Sequence, residues 1–229
     1  MEGDQGMNFN EYPDREFLFL NLANKIASEL ADFLRREGKA TLCVPGGTTP
    51  GPIFDTLSGV DLDWENVTVF LNDERWVPED NARSNTRLIK QRLLTGKAAG
   101  AKYVPLYSDE GTPEEALGGL SEGLAPHLPI SVLLLGMGND MHTASLFPGA
   151  DRLEEALSDK APLLLPMRAQ AADEPRITLT AKPLKEAFST HLLITGAEKR
   201  AALERAEKLS PVDAPIRAVW PNLSVHWAE

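Results

Sequence analysis

The stretch ISVLLLGMG, residues 130–138, predicts the central strand of the fold. Its four apolar residues from Val132 to Leu135 stand in a row and are followed at once by Gly136 and Gly138. A short apolar run that ends at glycine is typical of a strand that is buried on both faces. Parallel sheets contain such strands, because the helical crossovers between parallel strands cover both surfaces of the sheet. The stretch therefore predicts an α/β fold.

Strand and helix patterns alternate on both sides of this stretch. In residues 14–38, apolar side chains recur every three or four positions between a capping Asp14 and a terminal Gly38, which predicts a helix. Further strands are predicted at ATLCV (40–44), VTVFL (67–71), RITLT (176–180), HLLIT (191–195) and LSVHW (223–227). Further helices are predicted near 50, at 84–94, 112–128, 181–188 and 197–208. Regular alternation favours a three-layer α/β/α sandwich with a mostly parallel sheet.

The chain is expected to fold as one domain. Its 229 residues suffice for one sizeable core, and no repeat, low-complexity segment or linker marks a boundary. The acidic, polar start predicts a flexible tail over residues 1–12, followed by a single domain over residues 13–229. The stretch APLLLPMRAQAADEP, residues 161–175, is interpreted as a long surface connection.

Composition and charge indicate which partners the protein does not bind and in which compartment it is expected. The 34 Asp and Glu residues against 23 Lys and Arg give a formal net charge of -11, which repels nucleic acid and anionic membranes. Cys43 is the only cysteine, so no intrachain disulfide forms and a reducing cytoplasm is expected. No apolar run approaches the ~20 residues of a membrane helix, and the N-terminus lacks the apolar core of a secretory signal. No cluster has the spacing of metal ligands, so no metal is expected.

Three glycine-rich or charged clusters each follow an apolar strand. They are PGGTTP (45–50), NDERW (72–76) and GMGNDMH (136–142). In an open parallel sheet, ligands bind outside the carboxyl ends of the strands, so clusters that are far apart in sequence converge on one crevice. We therefore expect a single functional site at this edge of the sheet.

The loop Gly46, Gly47, Thr48 has two interpretations. Its backbone N–H groups, together with the positive end of a helix that begins near Pro50, would hold a phosphate. The alternative is a tight turn between strand and helix. The loop lacks the Gly-Lys-Ser/Thr of a nucleotide-binding P-loop, and GMGNDM has only two of the three glycines of a dinucleotide fingerprint. A nucleotide cofactor is therefore poorly supported.

Three basic side chains are candidates for binding an anion at the same edge. Arg75 lies in the charged cluster itself. Arg176 opens a predicted strand and Lys199 lies one turn into a predicted helix, so either side chain would reach a phosphate in the crevice. Taken alone, each of these two is more typical of a solvated surface charge.

His142 is the candidate for proton transfer. An imidazole titrates near neutral pH, and Asp140 or Asp73 would orient the ring or stabilise its charged form. The alternative is a structural or exposed histidine. Ser145 is a poor candidate for a nucleophile, because a nucleophile elbow needs glycines two positions to either side and the sequence has none there.

Three stretches resemble the signature stretches of 6-phosphogluconolactonases: VPGGTTP (44–50), LNDERWVPEDNARSNTRLI (71–89) and LLLGMGNDMHTASLFPG (133–149). PRITLT (175–180) and LLITGAEKRAAL (192–203) resemble later segments of the same family, in the same order. The resemblance implies an α/β/α sandwich with a Rossmann-like sheet and hydrolysis of 6-phospho-D-glucono-1,5-lactone, the second step of the oxidative pentose phosphate pathway. It also implies a cytoplasmic monomer that needs no cofactor and takes a small sugar-phosphate lactone.

The resemblance also implies roles for individual residues. His142 corresponds to the catalytic histidine, which acts first as general base toward water and then as general acid toward the leaving ring oxygen. Asp140 and Asp73 stay the two candidates for its carboxylate partner. Positions that hold the phosphate are matched by Gly46, Gly47, Thr48, Arg176 and Lys199, and the charged cluster beside the substrate is matched by Asp73 and Arg75.

Met141 departs from the pattern, which ordinarily has glycine between this Asp and this His. A glycine there would supply a positive φ, a conformation that costs other residues roughly 1 kcal/mol or more. Asn139 and Asp140 tolerate left-handed backbone better than most residues, so we expect the loop to kink at one of them and to keep His142 in position. The alternative is a displaced His142 and a slow enzyme.

Two other functions remain open. A glucosamine-6-phosphate deaminase, or another aldose-ketose isomerase on the same fold, resembles the chain at the phosphate loop but carries Asn-Glu-Pro where SLFP (145–148) stands here. A non-catalytic sugar-phosphate sensor would keep the phosphate loop without needing Asp140 beside His142. Because both residues are present, the sensor ranks below a catalyst.

Overall fold

Seven parallel strands form the central sheet of the protein, which is described over residues 6–229 by a computed structural model. The strands in chain order are β1 Asn8–Glu11, β2 Ala40–Val44, β3 Val67–Leu71, β4 Asp73–Arg75, β5 Lys102–Val104, β6 Val132–Leu135, β7 Leu164–Met167, β8 Arg176–Leu179, β9 Ser189–Thr195 and β10 Leu223–Ala228. The central sheet has the order β1-β10-β9-β6-β2-β3-β5, and every pair in it is parallel. Helices flank it, so the predicted α/β/α sandwich is confirmed.

The helices are α1 Arg15–Glu37, α2 Gly51–Ser58, α3 Asn85–Arg92, α4 Pro113–Leu124, α5 Leu153–Leu157, α6 Ala181–Lys185 and α7 Ala197–Ala206. The ends of α1 are those that the sequence predicts: the Asp14 carboxylate accepts a hydrogen bond from the backbone N–H of Phe17 at 2.7 Å, and Gly38 ends the helix with a φ of 71°. None of the helices within residues 6–229 combines the length and the apolar character needed to cross a bilayer.

Strand β6, formed by the stretch that predicts the fold, lies at the centre of the sheet between β2 and β9. All four of its residues are buried, as expected for a strand covered on both faces. Its carboxyl end is followed by the loop that carries Asp140 and His142. The position of β6 therefore places this loop in the middle of the carboxyl edge, between the loops that follow β9 and β2.

Strands β7, β8 and β4 form a second, antiparallel sheet of three strands. The interpretation of residues 161–175 as a surface connection is wrong, because β7 lies in this stretch and all four of its residues are buried. Pro166 argues against a strand in the sequence, because proline has no N–H to donate to a neighbouring strand. The structure accommodates Pro166 because β7 is an edge strand that pairs only with β8.

The predicted flexible tail, residues 1–12, contains an ordered strand. Residues 1–5 lie outside the described part of the chain, but β1 pairs in parallel with β10 at the edge of the central sheet. The Asn10 side chain donates to the carbonyl of Val225 at 3.0 Å, and the rings of Phe9 and Trp227 lie 6.4 Å apart. The expectation fails for β1 because a polar edge strand takes its order from its neighbour and has no apolar periodicity of its own.

His191 and His226 lie buried side by side, although the sequence indicates no role for either. Their rings are joined by a 2.9 Å contact between Nδ1 of His191 and Nε2 of His226. The hydroxyl oxygen of Tyr12 lies 2.8 Å from Nδ1 of His226, and Oε1 of Glu29 lies 3.0 Å from Nε2 of His191. Burial, followed by the charges of His191 and Lys25, lowers the pKa of His226 to about 3.

We expect this buried pair to make the protein less stable as the pH falls. The unfolded chain takes up a proton on His226 near pH ~6.5, whereas the folded chain keeps the ring neutral to a pH of about 3. Stability from this residue is therefore complete above pH ~6.5 and falls below it by up to about 1.4 kcal/mol per pH unit. The free energy of unfolding, measured with urea from pH 7 to pH 4, should fall less steeply with falling pH in His226→Gln than in the wild type. Equal slopes would contradict the prediction.

Candidate active site

The three clusters that the sequence places after strand ends meet in one open pocket of about 240 Å³. The Gly46–Gly47 turn after β2, Asp73 and Arg75 after β3, and His142 in the loop after β6 all line it. Arg176 and Lys199 line the same pocket. The predicted convergence on a single crevice is therefore confirmed.

A smaller pocket of about 120 Å³ adjoins the first and shares the Gly46–Gly47 turn and Lys199 with it. Gly47 has a φ of 83°, which a residue with a side chain rarely adopts, and the turn leads into α2. Thr49 lines the smaller pocket, whereas Thr48 is exposed and lines neither. Of the three residues predicted to form the loop, the two glycines therefore face the cavity and Thr48 does not.

The side chains of His142 and Asp140 are hydrogen-bonded to each other in the loop after β6. Their Nδ1 and Oδ1 atoms lie 2.5 Å apart, and the same Oδ1 accepts the backbone N–H of His142 at 3.1 Å. Burial raises the pKa of Asp140, but its hydrogen bonds and charge interaction with His142 outweigh burial and leave that pKa below its usual value. Because Nδ1 is engaged by the carboxylate, Nε2 is the ring nitrogen left for the pocket.

The imidazole of His142 lies directly over Gly138. A Cβ at position 138 would stand 2.2 Å from Nδ1 of His142 and 2.6 Å from Oδ1 of Asp140. The other side of the ring packs on Phe147, with 4.4 Å between the ring centroids. The absence of a side chain at Gly138 is therefore what allows the His142–Asp140 pair to form where it does.

The loop kinks at Met141, with a φ of 68°. The expectation of a kink at Asn139 or Asp140 is therefore wrong, although His142 still lines the pocket. Met141 is held in this conformation by its neighbours: its N–H donates to the carbonyl of Gly138 at 2.9 Å, and its carbonyl accepts the N–H of Ile216 at 3.1 Å. Its side chain packs against the hydrophobic core. These contacts offset the backbone strain.

Asp73 is buried where the two sheets meet. Its Oδ2 atom accepts a 2.6 Å hydrogen bond from the hydroxyl of Ser145 and lies 3.7 Å from NH1 of Arg176. The sequence places Asp73 and Arg75 directly after β3, and the structure shows that both lie in a further short strand, β4, which pairs with β8. The hydroxyl of Ser145 is directed at Asp73, and no histidine within residues 6–229 hydrogen-bonds to it, so the Ser–His pair of an activated serine is missing.

Two residues that the sequence did not indicate support this wall of the pocket. Glu74 is buried, and its carboxylate accepts the backbone N–H groups of Arg75, Asn85 and Thr86, each at 2.8 Å. Burial raises the pKa of Glu74, and these hydrogen bonds oppose the rise. Asn85 lines the pocket and donates through Nδ2 to the carbonyl of Asp73 at 3.2 Å. The sequence analysis predicts a helix over residues 84–94 but gives no role to Asn85 itself.

The basic side chains differ in their surroundings. Arg176 is buried and stacks over Phe147, so the alternative of a solvated surface charge is wrong for it. Burial lowers the pKa of Arg176, and the charge of Asp73 opposes this. Lys199 is partly buried and donates to the carbonyl of Met137 at 2.8 Å, and burial lowers its pKa as well.

The pocket concentrates unpaired polar atoms. Within residues 6–229, five buried side-chain atoms have no hydrogen-bond partner, and three of them belong to residues that line this pocket. These three are Oδ1 of Asn72, Nε of Arg75 and Nε of Arg176. A buried polar group without a partner costs about 1–3 kcal/mol, so their clustering indicates that a polar ligand completes the pocket. In the same described part of the chain, no group of three or more His, Cys, Asp or Glu side chains is placed to hold a metal ion.

The fold and the pocket define an α/β protein that binds a polar ligand at the carboxyl edge of a parallel sheet. Residues 13–227 match the sequence profile of the family described as Glucosamine-6-phosphate isomerases/6-phosphogluconolactonase. The chain belongs to this family, and the resemblance found in its sequence is confirmed.

Curated relatives and solved structures of similar length support this assignment. The chain is 42% identical over 215 residues to the 6-phosphogluconolactonase of Rhizobium meliloti (strain 1021), covering 90% of this chain and 92% of the relative. It is 36% identical to the 6-phosphogluconolactonase of Caulobacter vibrioides, covering 95% of this chain and 96% of the relative. A crystal structure of a 6-phosphogluconolactonase from Shewanella baltica superposes with a TM-score of 0.95 at 34% identity and covers 99% of both chains.

Proposed function

We propose that this protein hydrolyses 6-phospho-D-glucono-1,5-lactone to 6-phospho-D-gluconate, the second step of the oxidative pentose phosphate pathway. The observation that carries the proposal is that His142, hydrogen-bonded to Asp140, lines one pocket with the Gly46–Gly47 turn and Lys199. A proton-transfer pair next to an anion site is what hydrolysis of a phosphorylated lactone requires. The family's 6-phosphogluconolactonases named above support the same substrate.

His142 is assigned both proton transfers of the reaction. Its Nε2 atom takes a proton from water as the water oxygen forms a bond to the lactone carbonyl carbon, and the ionised Asp140 stabilises the resulting imidazolium. The tetrahedral intermediate then collapses with cleavage of the bond between this carbon and the ring oxygen. The imidazolium returns its proton to that oxygen, which becomes a hydroxyl group. The enzyme ends the cycle in its starting protonation state.

The two adjoining pockets suggest how the substrate is divided between them. We assign the phosphate to the junction of the pockets, where the Gly46–Gly47 turn, the N-terminus of α2 and Lys199 come together. Arg75 lines only the larger pocket, as Asp73 does, and we assign Arg75 to the remainder of the substrate. The contact of Arg176 with the phosphate, which the resemblance implies, stays a prediction, as does any contribution of Thr48.

Residues 13–229 are proposed to act as a single domain, and the protein as a cytoplasmic monomer that acts on a free small molecule. The net charge of -11 supports a partner other than nucleic acid or an anionic membrane. The lone cysteine, Cys43, is buried, and burial raises its pKa well above the usual value, which agrees with an unreactive thiol in a reducing compartment.

The proposed function is tested by the rate at which freshly generated 6-phosphogluconolactone disappears, measured against its spontaneous hydrolysis. Acceleration by the wild type is the expected result. Release of ammonia from glucosamine 6-phosphate, assayed in parallel, would instead favour the deaminase. Binding of both sugar phosphates without turnover of either would favour the non-catalytic sensor.

Replacing Met141 by glycine is expected to change activity by less than about fivefold. Glycine removes the strain of a positive φ, about 1 kcal/mol, but it also removes the packing of the Met141 side chain on the core. The His142–Asp140 contact does not use that side chain. Lactone hydrolysis and urea unfolding measure the two effects, and Asn222→Gly, at another residue with positive φ outside both pockets, is the control. A larger loss in Met141→Gly alone would show that its side chain holds the loop in place.

A further inference from the structure

Asn72 lines the larger pocket and is held in place by its backbone hydrogen bonds. It is fully buried directly after β3. Its backbone N–H donates to the carbonyl of Val44 at 3.0 Å, and its carbonyl accepts the N–H of Leu179 at 2.8 Å. Asn72 therefore joins β2 in the central sheet to β8 in the antiparallel sheet, and both of its backbone groups are engaged.

The side-chain amide of Asn72 has one engaged end and one free end. Its Nδ2 atom donates to the carbonyl of Leu134 at 3.2 Å, which fixes the orientation of the amide because only the nitrogen is a donor. Its Oδ1 atom is buried and has no partner within the described chain. The residue lines the pocket that also contains Asp73 and His142.

The chemistry of this oxygen selects the group that would bind it. A neutral acceptor pairs with a donor such as O–H and repels the oxygens of a phosphate. The neighbouring carboxylate of Asp73 already accepts a hydrogen bond from Ser145 and faces Arg176, so Asn72 holds the unused neutral acceptor of this wall. The Gly46–Gly47 turn and Lys199 serve the anionic part of a ligand, whereas Oδ1 of Asn72 fits its hydroxyl-bearing part.

We propose that Asn72 is a substrate-positioning residue whose Oδ1 accepts a hydrogen bond from a hydroxyl group of the bound sugar. The inference rests on the proposed function for the identity of the sugar. It assigns to Asn72 the recognition of the polyhydroxyl part of the substrate, separately from the phosphate.

The test compares wild type, Asn72→Leu and Asn72→Ala in binding and in turnover. Leucine has nearly the shape of asparagine without its acceptor, and alanine removes the acceptor without filling the space. Calorimetric titration with 6-phosphogluconate should show binding weakened on the order of tenfold in both variants, whereas titration with inorganic phosphate should be unchanged. In lactone hydrolysis, KM should rise by a similar factor.

Asn10→Leu is the matched control for these variants. Asn10 also donates its side-chain amide to a strand carbonyl, that of Val225 at 3.0 Å, but it lies in β1 and lines neither pocket. Its replacement should leave the binding of both ligands and KM unchanged, and urea unfolding should confirm that every variant is folded.

Three outcomes would overturn the inference. In the first, both Asn72 variants bind 6-phosphogluconate as the wild type does. In the second, phosphate binding weakens as much as 6-phosphogluconate binding, which would indicate a general distortion of the pocket. In the third, kcat falls while KM and binding are unchanged, which would place Asn72 against the attacking water. A wild type that fails to accelerate lactone hydrolysis would defeat the proposed function instead, while the two titrations would still measure the contribution of Asn72.

Discussion

Hydrolysis of 6-phosphogluconolactone by the His142→Ala variant is expected to be about 10²–10⁴-fold slower in kcat than by the wild type. The imidazole is assigned both the proton taken from water and the proton given to the ring oxygen. Its Nδ1 atom is held by Asp140, and no other histidine lines either pocket of the site. Removal of the side chain therefore leaves no group of similar proton affinity to take over.

His127→Ala is the matched control for this variant. His127 lies at the opposite end of the fold from the pocket, in a short helical turn before β6. Its replacement should leave kcat and KM unchanged. Binding of 6-phosphogluconate by His142→Ala should also remain close to that of the wild type, because the phosphate contacts are made elsewhere. A His142→Ala variant with wild-type kcat would refute the assignment of His142 as the catalytic base.

The Gly138→Ala variant is expected to lose on the order of 10²-fold in kcat while it remains folded. The added methyl group would stand 2.2 Å from Nδ1 of His142 and 2.6 Å from Oδ1 of Asp140, far inside van der Waals contact. Phe147 packs on the ring, so His142 cannot move aside without breaking that contact or its bond to Asp140. A displacement of about 1 Å at a reacting group is enough for an effect of this size.

Gly119→Ala provides the contrasting substitution. Gly119 is exposed in α4, and a Cβ there would meet nothing within 4 Å. Alanine at this position should raise the free energy of unfolding by about 0.5–1 kcal/mol without changing kcat. Lactone hydrolysis and urea unfolding, measured on both variants, separate the local clash from the general effect of replacing glycine.

A double variant sharpens the test of Gly138. If Gly138→Ala acts by displacing the imidazole, it should lower kcat strongly when His142 is present. In a His142→Ala background it should lower kcat almost no further. Independent, additive losses in the double variant would mean that Gly138 acts on another part of the site. They would contradict the explanation by a clash with His142.

The sequence was most informative where local rules and the tertiary fold agree. The apolar run of β6 and the capped, periodic α1 were predicted with their positions, because burial on both faces and on one face leave distinct patterns. The convergence of the three clusters followed from the rule that parallel strands present their carboxyl ends at one edge. The polar edge strand β1 and the proline-containing β7 were missed, because their order comes from the neighbours with which they pair.

In the loop after β6, too, the sequence predicted part of the site and the tertiary fold decided the rest. The sequence identified His142 and Asp140, and it identified Met141 as unusual, but it placed the kink one or two residues too early. Local preference favours Asn or Asp in left-handed backbone, yet a hydrogen bond from Ile216 and packing on the core hold Met141 there. The hydrogen bond comes from a residue 75 positions away in the chain, so no local rule contains it.

The sequence by itself determined the α/β class, the mostly parallel sheet, the family and the set of loops that carries the chemistry. These properties depend on periodicity, glycine positions and short motifs, all of which act over a few residues. Only the tertiary structure decided which polar groups are paired: Asp73 with Ser145, Asn85 with the backbone of Asp73, and Asn72 with Leu134 but with its Oδ1 left free. Such pairing requires atoms from distant segments to meet within about 3 Å, and that is fixed by how the two sheets pack together.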